Sequence, residues 1–178
     1  MAASRHHVSL NAKTMANKSG QAMVEFTVIA SVAVLILCAV VDFGRALNCM
    51  QVMVGLSRDG SNLASRGDTL TQAATGVIAG EAPLDLNDYG EVIVTSVANK
   101  NSVNTITGQV TKGGISCTSK IGQGVGTPAT VPSSVAAMLQ AGQTVYVTEV
   151  FYTYQPITPI GNLLNVVMPS RMYEAAYF

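Results

Sequence analysis

The stretch from Gly20 to Arg45, GQAMVEFTVIASVAVLILCAVVDFGR, limits what this chain can fold into more than any other feature. No side chain between Phe26 and Val41 is charged. At about 1.5 Å per helical residue, the apolar run over 21–41 is long enough to cross roughly 30 Å of hydrocarbon. A bilayer offers the backbone of a single span no hydrogen-bond partners outside the helix itself. We therefore predict one membrane-spanning helix over residues 21–41.

Charge is distributed unevenly on the two sides of this predicted span. Residues 1–20 carry Arg5, Lys13 and Lys18 and no acid, whereas residues 21–178 hold seven Lys/Arg against ten Asp/Glu, a net charge of −3. Because positively charged flanks stay in the cytoplasm, we expect the N terminus inside and most of the chain outside. The chain is 48% hydrophobic and only 11% charged, which is typical of a membrane-tethered protein. No basic surface is left that would predict binding to nucleic acid.

The first 20 residues differ from a secretory signal peptide. In a signal peptide the apolar region precedes the cleavage site, whereas here a basic, polar leader precedes the apolar run. A cut after Gly20 would remove this cytoplasmic leader and keep the span. The less demanding alternative is an uncleaved signal anchor, whose polar tail can build no core.

Glu25 lies on the apolar side of any plausible membrane boundary. An unpaired charge deep in a bilayer costs at least about 2.5 kcal/mol, so Glu25 needs a cation nearby. A cut between Gly20 and Gln21 would create an ammonium group one helical turn away, on the same chain or on a neighbour in an assembly. We favour this interpretation because intramembrane acids are functional by default. The alternative places Glu25 at the lipid headgroups, where it complements the positive end of the helix dipole.

These features together resemble the start of a TadE-like minor pilin, a pseudopilin of the tight-adherence (Tad/Flp) pilus systems. The resemblance covers residues 20–66 and rests on the leader ending in Gly20, the acid five positions later, the apolar run, Asp42-Phe43-Gly44-Arg45 and LSRDGSNLASRG at 56–67. It implies that a membrane-embedded prepilin peptidase cuts this class III signal peptide between Gly20 and Gln21, and that Glu25 serves processing or subunit docking. Gln21 departs from the small or aromatic residue expected after such a cut.

The resemblance also implies a function in assembling a tight-adherence type IV pilus used for surface attachment. The partners would be the prepilin peptidase, other pilins or pseudopilins, the inner-membrane assembly platform and the lipid bilayer. The protein would lie in the inner (cytoplasmic) membrane with its C-terminal domain outside, or in an extracellular filament. Two alternatives stay open, a pseudopilin of a type II secretion system and a bitopic anchor that carries an extracytoplasmic binding domain.

Beyond the span, apolar residues continue at helical spacing. They recur every three or four residues and comprise Phe43, Leu47, Met50 and Val54, with Ala46 and Met53 widening the face. This pattern predicts that the helix continues as an amphipathic segment over residues 42–67. Its apolar face fits either the core of a domain or a docking surface. Asp42 and Arg45, three residues apart, can form an ion pair at the membrane edge.

Residues 68–178 are predicted to form a small extracytoplasmic α+β domain. Alternating patterns of β-branched and aromatic residues predict strands at Glu91–Val97, Asn104–Thr111 and Gln143–Tyr154. Arg171–Phe178 fits either a terminal strand or an apolar tail. We expect three or four antiparallel strands, with the outer half of the long helix covering their apolar face, as in a pilin-like fold. Further expected elements are helices at 71–79 and 133–140, a loop at 112–132, and an apolar piece of undecided type at 163–168.

The three cysteines occupy different environments along the chain. Cys38 lies inside the predicted span, about 16 Å along the helix from Cys49, which is too far for a bridge. Cys49 and Cys117 both lie on the expected extracytoplasmic side, where disulfides persist. A bond between Cys49 and Cys117 would tie the Gly-rich loop to the helix. The alternative is that both are small buried hydrophobic residues.

The residue types argue against catalysis. Both histidines, His6 and His7, lie in the leader, so a processed chain cannot use Ser-His or Cys-His chemistry. Asp85, Asp88 and Glu91 form an acidic patch, but their spacing lacks the rest of an EF-hand loop, and a solvated turn is the better interpretation than a calcium site. We expect that the protein is not an enzyme and binds neither a metal nor a cofactor.

Overall fold

The computed structural model describes residues 5–159 and 171–178, with side chains from residue 20 onward, so the apolar piece at 163–168 lies outside the described residues. The elements follow in the order α1 (Arg5–Ser65), α2 (Leu70–Ala79), α3 (Leu86–Tyr89), β1 (Gly90–Lys100), β2 (Val103–Gly113), α4 (Ser133–Met138), β3 (Thr144–Thr153) and β4 (Arg171–Tyr177). The predicted α+β fold, a long N-terminal helix with a small antiparallel sheet, is confirmed.

The sheet has four strands in the order β2-β1-β3-β4, and every neighbouring pair is antiparallel. At its centre Val94 of β1 lies opposite Val110 of β2 and Thr148 of β3. The β1–β2 connection turns at Asn101 and Ser102, which have φ of 52° and 66°. Left-handed residues of this kind are typical of the tight turns whose twist matches the flanking strands. Because β4 pairs with β3, the C-terminal segment is a strand and not the apolar tail that the sequence left as an alternative.

Helices cover one face of this sheet. The outer part of α1 packs on β3 and β4, and α2 packs on β1 and β2. Helix α2 begins with a capping box in which Thr69 and Gln72 satisfy each other's backbone N–H groups. The core between the helices and the sheet includes Met53, Val77, Val92, Val94, Val150 and Tyr152. The expectation that the outer half of the long helix covers the sheet is confirmed.

Small residues allow α1 to approach the sheet closely. A Cβ atom added at Gly60 would lie 2.7 Å from Val77 Cγ2 and 2.8 Å from Thr148 Cγ2. One position later, the Ser61 hydroxyl donates a hydrogen bond to the Ala176 carbonyl at 2.9 Å. Ala64, one helical turn further, is also buried. The sheet therefore approaches α1 most closely at this short stretch of small residues.

A loop covers the second face of the sheet, which the sequence did not lead us to expect. The segment 114–131 follows β2 and packs Ile121, Ala129 and Val131 against Val97 and Val147. Its residues 126–129 also bond to the outer edge of β2 through Ile106 and Asn104. The sheet is thus buried on both faces. The second predicted helix, at 133–140, ends at Met138 and has no side-chain cap, because Pro132 occupies the N-cap position.

Candidate assembly helix

Helix α1 is exposed on all sides between Gly20 and Val41. None of the 18-residue window with mean hydropathy 2.6 is buried in the domain. The large apolar side chains that are exposed here include Met23, Phe26, Ile29, Leu37 and Val40. A helix that is apolar all round and unpacked needs either lipid or other helices around it. In length and composition this segment is compatible with a single membrane anchor.

Gly20 and Gln21, the residues of the predicted cut, lie within this exposed part of α1. A Cβ atom added at Gly20 would meet nothing within 4 Å. The helix is continuous across the bond between the two residues, so a protease would have to unwind it locally. A glycine lowers that cost by about 1 kcal/mol relative to alanine.

Glu25 has a hydrogen-bond partner in the uncut chain. The Gln21 side-chain amide donates from Nε2 to Glu25 Oε1 at 3.0 Å, across one helical turn. Gln21 and Glu25 are therefore neighbours across one helical turn, as the spacing predicted. In the uncut chain the side-chain amide of Gln21 makes this contact, and not an ammonium group.

The outer half of α1 is apolar on two adjacent sides, whose directions differ by roughly 100° around the helix axis. Ala46, Cys49, Met53 and Leu56 face the domain and are buried. Phe43, Leu47 and Met50 lie on the other side and are 52%, 44% and 48% exposed, with Val54 half-buried beside them. Ala46 and Met53, which widen the face predicted from the sequence, form its buried border, whereas Phe43, Leu47 and Met50 form its exposed part. We call the set Phe43, Leu47, Met50 and Val54 the outer stripe.

Glu25 lies on the same side of α1 as the outer stripe. Glu25 and Phe43 are 18 residues apart, which is about five full turns at 3.6 residues per turn. Leu47, Met50 and Val54 fall within roughly 40° of the same direction by the same geometry. One face of the helix therefore carries Glu25 within the span and the outer stripe beyond it, roughly a quarter turn from the side that packs on the domain.

Asp42 marks the point where the domain meets the exposed helix. Its side chain is fully buried, and its carboxylate accepts hydrogen bonds from the Ile157 backbone N–H at 3.1 Å and from the Thr158 hydroxyl. The Tyr154 hydroxyl donates to the Asp42 backbone carbonyl at 2.9 Å. These bonds fasten the chain just after β3 to α1 at the end of its apolar run.

The groups around Asp42 favour its ionised form. Burial alone would raise the pKa of Asp42, but the hydrogen bonds from Thr158 and Ile157, together with the charge of Arg45, hold it below its ordinary value. Arg45 itself is exposed and lies close to Tyr154. Burial raises the pKa of Tyr154, and Arg45 partly offsets this effect. Arg45 is thus near enough for its charge to lower the pKa of Asp42, while the Asp42 carboxylate is hydrogen-bonded to the segment after β3.

A family model of TadE-like proteins matches residues 20–62 of this chain. Over these residues, about a quarter of its length, the chain is similar to TadE-like proteins. The match connects the chain with the Tad pilus systems. It covers the exposed helix, Glu25, Asp42 and most of the part of α1 that packs on the domain. Comparisons with curated proteins and with solved structures found no match.

Of the two alternatives that the sequence left open for Cys49 and Cys117, the structure has the unbonded one, and no disulfide joins them. Cys38, Cys49 and Cys117 are free thiols. Cys49 packs with Val92 and Tyr152 on the helix-covered face, whereas the Cys117 backbone N–H bonds to Glu91 on the loop-covered face. Glu91 and Val92 are consecutive in β1, so their side chains point to opposite faces. The sheet lies between the two sulfur atoms.

Sequence reasoning missed a buried carboxylate under this loop. Glu149 of β3 is fully buried and accepts hydrogen bonds from the Lys120 backbone N–H at 2.8 Å, the Tyr173 hydroxyl at 3.1 Å and the Ser119 hydroxyl. Burial, followed by the charge of Glu149, raises the pKa of Tyr173. Burial and the neighbouring Glu91 raise the pKa of Cys117 to about 11, so its thiol stays protonated. The alternation of Val147, Glu149 and Phe151 was the signal that Glu149 points inward.

The acidic patch of Asp85, Asp88 and Glu91 is not one site. Asp85 caps α3 by accepting from the Asp88 backbone N–H at 3.1 Å, and Glu91 points to the loop-covered face. Among residues 20–159 and 171–178, no group of three or more His, Cys, Asp or Glu side chains is placed to hold a metal ion.

Proposed function

We propose that this TadE-like protein is a minor pilin of a tight-adherence pilus, cut by a prepilin peptidase between Gly20 and Gln21 and assembled through helix α1. The observation that carries the proposal is the exposed face of α1 that runs from Glu25 to Met50. Its apolar side chains lie within the span and also beyond it, where the domain leaves them uncovered.

The part of this face beyond the span distinguishes a subunit from a simple anchor. The helix from residue 20 to residue 41 already covers about 33 Å, which is the thickness of the hydrocarbon. The outer stripe extends roughly another 18 Å beyond Asp42, outside the membrane. Contiguous exposed apolar surface of this kind is typical of protein interaction sites. The occupant we propose is the N-terminal helix of another pilus subunit, which is apolar in the same way.

Glu25 has a role in this arrangement because it lies on the same face. When α1 leaves lipid for a bundle of helices, its carboxylate comes to face a neighbouring chain. A cation there, such as the ammonium group of a processed N terminus, would compensate the charge that is costly in the bilayer. The pairing would favour one axial position of a subunit relative to its neighbour.

The first test is of the cut. The protein is recovered from the membranes of a host with an active prepilin peptidase, and its intact mass is compared with that of the full chain. We expect a chain that begins at Gln21. Gly20→Ala should block the cut, while Gly44→Ala, another glycine of α1 with open space around it, should be processed normally. A wild-type chain that keeps Met1, or that is cut after the apolar run, contradicts the proposal.

The second test is of the docking face. Glu25→Ala should leave membrane insertion intact and remove the protein from sheared filaments. A photocrosslinking residue at Phe43 should capture another pilus subunit, whereas the same residue at exposed Asn48, on a different side of α1, should not. Normal incorporation of the Glu25 variant, or equal crosslinking from both positions, would count against the proposed face.

A further inference from the structure

We infer that Gln21 is a modification site, where the N-terminal glutamine released by the cut cyclises to pyroglutamate with Glu25 as the proton carrier. The inference rests on the proposed function, since it requires the bond between Gly20 and Gln21 to be broken. Its structural basis is the hydrogen bond from Gln21 Nε2 to Glu25 Oε1 at 3.0 Å.

The reaction uses only atoms of Gln21. After the cut, its α-nitrogen forms a bond to its own side-chain carbonyl carbon Cδ, and the bond between Cδ and Nε2 breaks. Nε2 leaves as ammonia, which becomes ammonium with the proton that the original α-ammonium group gives up. No oxidant, reductant or water is consumed. Because nucleophile and carbonyl belong to one residue, the reaction is intramolecular and needs no second substrate.

Glu25 contacts the nitrogen that leaves. A carboxylate at this position can take a proton from the α-ammonium group, which makes that nitrogen nucleophilic, and return it to Nε2 as the Cδ–Nε2 bond breaks. Side chains of an α-helix tilt toward its N terminus, so Glu25 reaches back to the first turn of the cut chain. Gln21 and Glu25 are both exposed, and no packed side chain has to move for the ring to close.

Cyclisation changes what Glu25 can pair with. The lactam keeps one N–H donor but has no positive charge, so the ammonium group of the same chain is lost as a partner. Glu25 must then find its cation on another subunit, which makes the pairing intermolecular. A small or aromatic residue at position 21 would keep the charged amine instead.

The test measures the first tryptic peptide of the processed chain, Gln21–Arg45, which contains no internal Lys or Arg. Protein is taken from membranes of a host with an active prepilin peptidase, and a heavy-labelled Gln21–Arg45 peptide is added before digestion to measure cyclisation during handling. We expect a native peptide that is lighter by one ammonia and resists Edman degradation, with the labelled peptide largely unchanged. A native peptide with a free glutamine overturns the inference and leaves the proposed cut standing. An uncut chain overturns both.

A matched variant tests the role of Glu25. Glu25→Gln keeps the size and hydrogen-bonding capacity of the side chain but cannot carry the proton. The cyclised fraction is counted only among cut chains, so any change in cutting efficiency cancels. We expect the rate of cyclisation to fall by about a hundredfold, the low end of what general acid–base catalysis supplies. An unchanged rate would remove Glu25 from the reaction.

Discussion

The close approach of α1 to the sheet at Gly60 gives a quantitative test of how the domain is seated. An alanine Cβ at this position would lie 2.7 Å from Val77 Cγ2 and 2.8 Å from both Thr148 Cγ2 and Thr148 Oγ1. Val77 and Thr148 are fully buried, and their β-branched side chains are restricted at χ1. Neither side chain can swing away, so the helix itself would have to shift.

The destabilisation that an added Cβ causes at Gly60 can be separated from the change in helix propensity by using Gly55 as a control. Gly55 lies in the same helix with nothing within 4 Å of an added Cβ. Alanine gains about 1 kcal/mol over glycine in a helix interior at either position. Overpacking costs roughly 1–3 kcal/mol, and the stiff neighbours of Gly60 favour the upper half of that range. We expect Gly55→Ala to stabilise the domain by up to about 1 kcal/mol and Gly60→Ala to destabilise it by about 1–2 kcal/mol.

The assay is urea unfolding of the full chain in a mild detergent, followed by tyrosine fluorescence. The chain has no tryptophan, and its six tyrosines all lie between residues 89 and 177, so the signal reports the domain and not the span. Both variants should keep the slope of the wild-type transition and shift its midpoint in opposite directions. If Gly60→Ala were as stable as Gly55→Ala, the close contact between α1 and β3 would be refuted.

Three further predictions follow from the buried groups. Asp42→Ala should destabilise the domain by about 2 kcal/mol at neutral pH, more than the exposed Asp59→Ala, because two donors lose their acceptor. Since the pKa of Asp42 is lowered in the folded state, the stability that Asp42 contributes is present above its unfolded pKa of about 3.9 and is lost as pH falls through the lower folded value. The urea unfolding midpoints of Asp42→Ala and wild type should therefore converge in acid. Reducing agent should change neither the gel mobility nor the unfolding midpoint, because Cys49 and Cys117 are not bonded; a shift in either would restore the disulfide. Glu149→Ala should cost about 3 kcal/mol or more in the same unfolding assay, since it leaves three donors unpaired under the loop, and a loss no larger than that of Asp59→Ala would contradict this packing.

The elements that local pattern decides were predictable from the sequence. The apolar run fixed α1, and period-two alternation found β1, β2 and β3 within a few residues of their ends. The same alternation in Gln143–Tyr154 placed Glu149 on one face with Val147 and Phe151. It could not reveal the partners of Glu149, because Ser119 and Lys120 come from a loop whose sequence carries no periodic signal.

Long-range placement explains what the sequence could not decide. Cys49 and Cys117 are not bonded because the chain after β2 crosses to the opposite face of the sheet, which spacing along the sequence cannot show. The sequence also could not show which part of the apolar face of the outer helix is buried. Large side chains such as Phe43 and Leu47 look like core, but the sheet approaches so closely that the inward side is built partly from small residues such as Ala46, Gly60 and Ala64.

The partial burial of this apolar face bears directly on function. If Phe43, Leu47 and Met50 had also faced the sheet, α1 beyond Asp42 would be a finished amphipathic helix, and a plain bitopic anchor would explain it. Instead the domain buries only the adjacent side, with Ala46, Cys49, Met53 and Leu56, and leaves Phe43, Leu47 and Met50 about half exposed beyond the apolar run. Leaving such side chains in water costs roughly 25 cal/mol for every Å² of apolar surface, with no compensation from lipid at that height. A second helix laid along the face that also carries Glu25 removes this cost, and a pilus subunit acquires such a neighbour when it leaves the membrane.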